Sequence, residues 1–330
     1  MKIPMIKPDV WVDEANAVFQ ATMEGEIGPG SKYVAEFEEK LAKYLKKKYV
    51  ITCNSGYSSI LLACRAVKEI YGVTDITLPA FTMIATGAGA KHAGLNLHFM
   101  DVNNRGQLEG HHEDVMTVDI YGNQSPATGN IVIEDAAEYF GPFKFRGLVT
   151  CFSLNINKSL TTGVGGICAT DDESLAKEMG LLRFHYFEGF GGKYYHERAG
   201  YNLSMSGLQA ALGIEQLKRV DEILEKRKVL GERYVKKLPK AWKCETYWYQ
   251  PYLCDSHEEK ERLKIHLEKN EIACRDFFPP ITNNPPFSNK ESYPIAEDLY
   301  ARGLLLPVYS TMTDEEQSFV IKIIQELDTV

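Results

Sequence analysis

Tyr49-Val50-Ile51-Thr52-Cys53-Asn54-Ser55-Gly56-Tyr57-Ser58 is the stretch on which the fold turns. Its first five residues are aromatic, β-branched or apolar, the make-up of a short buried strand. Asn54-Ser55-Gly56 is turn chemistry, and from about Ser58 to Tyr71 the chain reads as an apolar helix closed by Gly72. Upstream, Val34, Phe37, Leu41, Tyr44 and Leu45 recur at helical spacing with Glu and Lys between them, so an amphipathic helix leads into the strand.

Downstream the same unit repeats more loosely. Ile76-Thr77-Leu78 precedes a helix at about 82–93. Leu97 to Met100 precedes Asp101, Val115 to Ile120 precedes Tyr121-Gly122, and Asn130 to Ile133 precedes Glu134-Asp135. Strands alternating with helices through short connections predict an α/β fold with a mainly parallel sheet covered on both faces, and ligands in such sheets sit at the carboxyl ends of the strands. A long helix from Leu208, charged over Lys218 to Lys228, leads out of this region. Beyond it, Trp242 to Tyr252 and Ile272 to Phe278 read as strands, and Glu258 to Lys269 and Thr313 to Leu327 as helices. The pattern predicts a large domain over 1–238, with an N-terminal arm 1–30, and a smaller α+β domain over 239–330.

Composition narrows the function. The 330 residues, 44% hydrophobic and 25% charged, are ordinary for a globular protein. A formal net charge of −8, with no basic arm beyond Lys46-Lys47-Lys48, argues against nucleic-acid binding. Met1 to Trp11 carries Pro4 and Pro8 and fits neither a secretory segment nor a membrane span, so a cytoplasmic location is expected. The seven Cys contain no C-x-x-C pair and the eight His no ligand-spaced cluster; His111-His112 reads as a surface turn, and no metal is expected.

Four pieces carry chemistry. Ser55-Gly56-Tyr57-Ser58 opens a helix after a strand, where free N–H groups and the helix dipole favour a phosphate. Glu134-Asp135 puts acids at a strand end, where one carboxylate can hold a heterocyclic nitrogen protonated. Ser153-Leu154-Asn155-Ile156-Asn157-Lys158 sets a lysine just past a strand, before the glycine-rich Thr161 to Gly166 hairpin. Gly200-Tyr201-Asn202-Leu203-Ser204-Met205 is a polar turn entering the long helix. Taken singly, each is better read as an ordinary turn, strand end or surface lysine.

In order and together, these pieces resemble the DegT-type nucleotide-sugar aminotransferases, pyridoxal 5′-phosphate (PLP) enzymes of the aspartate-aminotransferase-like fold type I. Gly25 to Gly30, Pro79 to Thr86, Tyr121-Gly122, Glu134 to Glu138 and Leu182 to His185 add to the likeness, which continues faintly through Arg275, Pro279 and Leu306-Pro307. The resemblance implies that Lys158 forms the Schiff base and shuttles the proton. It implies that Asp135 pairs with the pyridinium nitrogen, that Glu138 reaches the phenolic oxygen, and that Met83 packs on the ring. Gly56, Tyr57, Ser58 and Ser153 would hold the phosphate, with Asn202 reaching it from the other subunit of a homodimer with shared sites. His185, Tyr186 and Arg275 are the implied substrate contacts, and the substrates are a nucleotide keto-sugar and an amino-acid donor, glutamate.

Several positions depart from the family pattern: Tyr57 stands for a threonine, Met83 for an aromatic residue, Asp119 for a histidine, Val164 for a glutamate and Ser204 for an arginine. The substitutions at Tyr57, Met83 and Ser204 leave open a non-catalytic or regulatory dimer of the same fold, and a third reading, a PLP-dependent sugar dehydratase with histidine in place of the Schiff-base lysine, is opposed by Lys158.

Overall fold

The computed structural model describes residues 1–141, 144–187 and 196–328. Helices α1 (Val12–Met23) and α2 (Lys32–Leu45) precede β1 (Tyr49–Cys53), α3 (Gly56–Tyr71), β2 (Asp75–Pro79), α4 (Ile84–His92), β3 (Asn96–Met100), β4 (His111–Val118), β5 (Thr128–Asp135), β6 (Val149–Ser153), β7 (Gly166–Thr170) and α5 (Glu173–Arg183). The long α6 (Gly207–Lys237) leads to β8 (Gln250–Leu253), α7 (His257–Lys269), β9 (Arg275–Asp276), α8 (Pro294–Arg302), β10 (Gly303–Leu306) and α9 (Asp314–Asp328).

The main sheet has seven strands in the order β1-β7-β6-β5-β4-β2-β3. All its neighbours pair in parallel except β7, which runs against both β1 and β6. Strands β1, β5 and β6 therefore end at the same edge, and Cys53, Asp135 and Ser153 come together there. One face is covered by α3, which buries Ile60, Leu62, Ala63 and Cys64. The other meets a core that includes Phe37, Leu41, Phe152 and Ile214 from α2, β6 and α6. Such double coverage is why these strands read as apolar runs rather than alternating ones.

A second sheet, β8-β10-β9, is antiparallel. Its core also takes Ile3 and Met5 from the N-terminal arm, Phe81 and Tyr121 from the main-sheet region, and Leu230 and Tyr234 from α6. Ile3 pairs with Ile272 as an isolated bridge, so the arm ties directly to the C-terminal part of the chain.

Four expectations are corrected. The strand expected over Trp242 to Tyr252 is only Gln250–Leu253, because the N–H groups of Glu245 and Thr246 donate to the Gly122 carbonyl at 3.1 and 2.9 Å instead of entering a ladder. The strand expected over Ile272 to Phe278 is reduced to Arg275–Asp276. His111-His112 opens β4 rather than forming a turn. The strand expected to run to Ile120 stops at Val118, and Ile120–Gly122 is a 3₁₀ turn in which Tyr121 takes a left-handed φ of 49°.

Candidate active site

A cavity of about 320 Å³ opens at the shared edge of β1, β5 and β6. Among its lining residues are Gly56, Tyr57, Met83, Asp135, Glu138, Ser153, Lys158 and Arg275, together with Ser55, Asn157, Trp248 and Phe278.

The turn after β1 is built for close approach. Ser55 caps α3, its hydroxyl accepting from the Ser58 N–H at 3.1 Å, and the first N–H groups of the helix lie next to the cavity, where they favour an anion. A Cβ on Gly56 would stand 2.7 Å from Cβ of Ser153, and one on Gly166 would stand 2.1 Å from the Ser55 carbonyl. The two glycines let β6 and β7 close on the turn from below. Ser58 is not part of the cavity wall. It is 2% exposed, and its hydroxyl is spent on Asn54 at 2.6 Å and Ser55 at 2.8 Å. The Tyr57 hydroxyl is engaged by Nδ1 of His92 at 2.6 Å.

Strand alternation separates the two acids at the end of β5. Glu134 is consumed structurally, accepting from the Gln124 side chain, the N–H groups of Arg146 and Gly147, and the Thr150 hydroxyl at 2.9–3.1 Å. Asp135 faces the cavity. Its Oδ2 accepts from Thr86 at 2.7 Å and its Oδ1 from the Ala137 N–H at 3.1 Å. Burial pushes its carboxyl up, against those two hydrogen bonds and the Lys158 charge. A buried carboxylate at a cavity wall, held by donors yet in no ion pair among the described residues, is what a protonated ring nitrogen would complete.

Lys158 is held by a turn in which its N–H donates to the Asn155 carbonyl at 2.8 Å. Burial depresses its ammonium pKa, Glu138 and Asp135 act against that, and the Arg227 and Arg275 cations act with it. Glu138 lies 3.9 Å from its Nζ, and burial pushes the Glu138 carboxyl up to about 7. The Trp248 ring covers the amine, 4.0 Å from its centroid. Arg275 is exposed at the cavity wall and enters no ion pair among the described residues.

Three expected site residues lie elsewhere in the chain. Leu182 to His185 pairs with Tyr201 to Leu203 through backbone bonds, which include His185 N–H to Tyr201 at 2.7 Å, and Phe184 bridges Asn202. Within this pairing Asn202 and His185 are exposed, and Leu203 accepts from the Asn54 N–H at 2.8 Å, which fixes the segment beside the turn after β1. Tyr186 is buried, its hydroxyl donating to Glu178 at 3.0 Å and accepting from Arg198 at 3.1 Å. That side chain is part of an ion-pair network, not of the cavity. Sequence reasoning missed Trp248 and Phe278; the only signals were the aromatic density of Trp242 to Tyr252 and the Phe277-Phe278 pair.

A largely covered lysine and a buried aspartate lining one cavity, beside a helix N-terminus, are what an enzyme that holds PLP through a lysine needs. The chain belongs to the DegT/DnrJ/EryC1/StrS aminotransferase family, whose model matches residues 9–325, and is an aminotransferase that uses PLP. It is 28% identical to the GDP-perosamine synthase of Escherichia coli O157:H7 over 98% of each chain. In fold it is similar to Helicobacter pylori PseC, an aminotransferase of pseudoaminic acid biosynthesis, with a TM-score of 0.90, 19% identity and complete coverage of both chains. The PLP form of the putative sugar aminotransferase Spr1654 from Streptococcus pneumoniae matches with a TM-score of 0.88 and 20% identity, over all of this chain and 99% of that one.

When bound, PLP supplies an electron sink that weakens the bonds at the amine-bearing carbon. The residues present fit it: Asp135 would hold the ring nitrogen, the α3 N-terminus with Gly56 and Ser153 would hold the phosphate, Met83 would lie against the ring, and Lys158 would be the covalent anchor and proton carrier. Among the described residues no helix is long and apolar enough to cross a membrane, and no group of three or more His, Cys, Asp or Glu side chains is placed to hold a metal ion.

Proposed function

We propose that the enzyme moves the amino group of L-glutamate onto a keto-sugar carried by a nucleotide, working as a homodimer with shared sites. The observation that carries the proposal is Lys158, its side chain 12% exposed in the cavity that Asp135 also lines. A lysine with a depressed pKa is neutral often enough to bond the cofactor and to carry a proton afterwards. Arg275, at the same cavity and without a carboxylate partner among the described residues, suits the carboxylate of the amino-acid donor. The acceptor class follows the sugar-nucleotide named for the E. coli relative.

Support for the dimer comes from exposed apolar side chains: Trp11, Val12, Phe19 and Met23 on or beside α1, and Met83, Ile156 and Val164 near the cavity. We read these side chains as part of a face that a second copy covers. Asn202, exposed beside the phosphate turn, is the residue we assign to the partner's cofactor phosphate, and His185 is a substrate contact of the same composite site. We further infer the division into 1–238 and 239–330, the boundary falling at Leu238, which caps α6. A cytoplasmic location suits cysteines that are all free, every one but Cys274 buried.

The test is a panel of nucleotide keto-sugars with glutamate as donor, following 2-oxoglutarate. Release that depends on one keto-sugar and on Lys158 supports the proposal. Release with free keto-sugars or keto-cyclitols only, or from another donor only, overturns its acceptor or donor part.

A further inference from the structure

With Lys158 as the covalent anchor, a reading on which this inference rests, a cationic amine has to be accommodated in a buried place whenever that bond is open. Such burial is costly unless the charge is paired. Two side chains receive it. Oε1 of Glu138 stands 3.9 Å from Nζ, and the face of Trp248 lies 4.0 Å from it, centroid to Nζ. Each receiver is itself fixed. Oε2 of Glu138 accepts from the Tyr121 N–H at 2.9 Å, which leaves Oε1 for the lysine. The indole Nε1–H of Trp248 donates to the Asn157 carbonyl at 3.0 Å, one residue before the amine it covers, and the ring stacks on Tyr121 and Phe278.

We propose that Glu138 and the face of Trp248 form a seat for the free Lys158 amine, in which Glu138 takes a proton from Nζ as the lysine joins the cofactor and returns it when the lysine is released. One N–H bond breaks and one O–H bond forms. The charged pair becomes a neutral pair, with no oxidant, reductant or further reactant. An amide in place of Glu138 would keep the hydrogen bond to Tyr121's N–H as an acceptor but could not take the proton.

Ammonium and carboxylate have ordinary proton affinities far apart, and exchange between them needs those affinities to converge. Burial does this here from both sides, lowering the lysine and raising the glutamic acid. The other groups facing the pair are Asp135, a second anion toward Nζ; Arg227 on α6 and Arg275 on β9, which oppose its charge; and the hydroxyls of Tyr121 and Tyr249, which face Glu138. Trp248 acts in one direction only. A π-face attracts the ammonium and not the neutral amine, so it holds the released lysine and lets the reactive form go.

The experiment measures the pKa of Lys158 in the cofactor-free protein, from the pH dependence of trace acetylation read by peptide mass spectrometry. Glu138→Gln should lower the lysine's proton affinity at least tenfold, and Trp248→Leu severalfold, with Trp248→Phe between it and the native protein. A Lys158 pKa within threefold of native in folded Glu138→Gln overturns the seat. Should that variant not fold, infrared difference spectra of the native protein decide: loading with PLP at mildly alkaline pH should raise a protonated-carboxyl stretch, and its absence overturns the proposal. The acetylation readout does not ask whether Lys158 bonds PLP; the infrared readout does, and is read only on protein in which that bond has been shown. Borohydride trapping asks that separately, so failure of the seat and failure of the anchor are distinguishable.

Discussion

The Thr86 hydroxyl donates to Oδ2 of Asp135 at 2.7 Å, and both side chains are buried. This bond, from the first turn of α4 to the end of β5, orients the carboxylate that we assign to the cofactor nitrogen. Asp135→Asn removes the charge that keeps the ring nitrogen protonated, and PLP affinity and the half-reaction with glutamate should both fall. Thr86→Val removes only the orienting donor, worth about 1.5–3 kcal/mol when the acceptor is charged, and should give a smaller loss of the same kind. Stopped-flow absorbance of the half-reaction checks both, and a Thr86→Val loss exceeding that of Asp135→Asn would assign the charge to another residue.

Gly56 and Ser153 are in contact across the phosphate turn, where an added Cβ on Gly56 would stand 2.7 Å from Cβ of Ser153. Gly56→Ala should therefore destabilise the protein by about 1–3 kcal/mol through overpacking and weaken PLP binding more than it lowers Tm. Ser153→Gly in the same chain removes the opposing atom and should restore stability while leaving PLP weaker by the lost hydroxyl. Thermal melts with and without PLP separate the two effects.

The pH dependence has a definite sign. Only the neutral amine bonds the cofactor, so capture of PLP should rise with pH through the depressed pKa of Lys158. Arg275 is one of the cations that depress it. Arg275→Leu removes that repulsion, favours the ammonium and should move the capture curve to higher pH. Rates of PLP binding to the cofactor-free protein across pH measure this; a shift to lower pH would contradict the electrostatics of the cavity.

Much of this site was legible in the sequence because it is local. The turn at Ser55 to Ser58, the acids ending β5 and the lysine past β6 each follow a strand whose apolar run marks its own end. What was not legible depends on pairing at a distance. The family resemblance picks out Asp135, but the local pattern does not say that Glu134 would be used up by Arg146, Gly147 and Thr150. Trp248 was hidden in an aromatic stretch that resembles a strand, whose backbone instead turns to bond Gly122. The Ser58 hydroxyl, one residue from the cavity wall, is turned inward by its bond to Asn54.

Asn202 is exposed within one subunit, and its assignment to the partner's site gives a complementation test. Mixing Asn202→Ala subunits with Lys158→Ala subunits should produce heterodimers in which one site carries both lesions and the other none. Activity should then recover above that of either homodimer. No recovery, once subunit exchange is demonstrated, would place Asn202 at its own subunit's site or at none.

The most direct measurement concerns Lys158 itself. The purified protein loaded with PLP is reduced with borohydride, digested and mapped by mass spectrometry, with Lys158→Ala treated in parallel. The reduced cofactor should be attached to the peptide containing Lys158 and to no other. Lys158→Ala should stay folded, carry no attached cofactor and lose transamination by at least the ~10²–10⁴-fold of its acid–base role alone. Cofactor attached to a different lysine, or near-native transamination in Lys158→Ala, would contradict the assignment of Lys158 as the anchor.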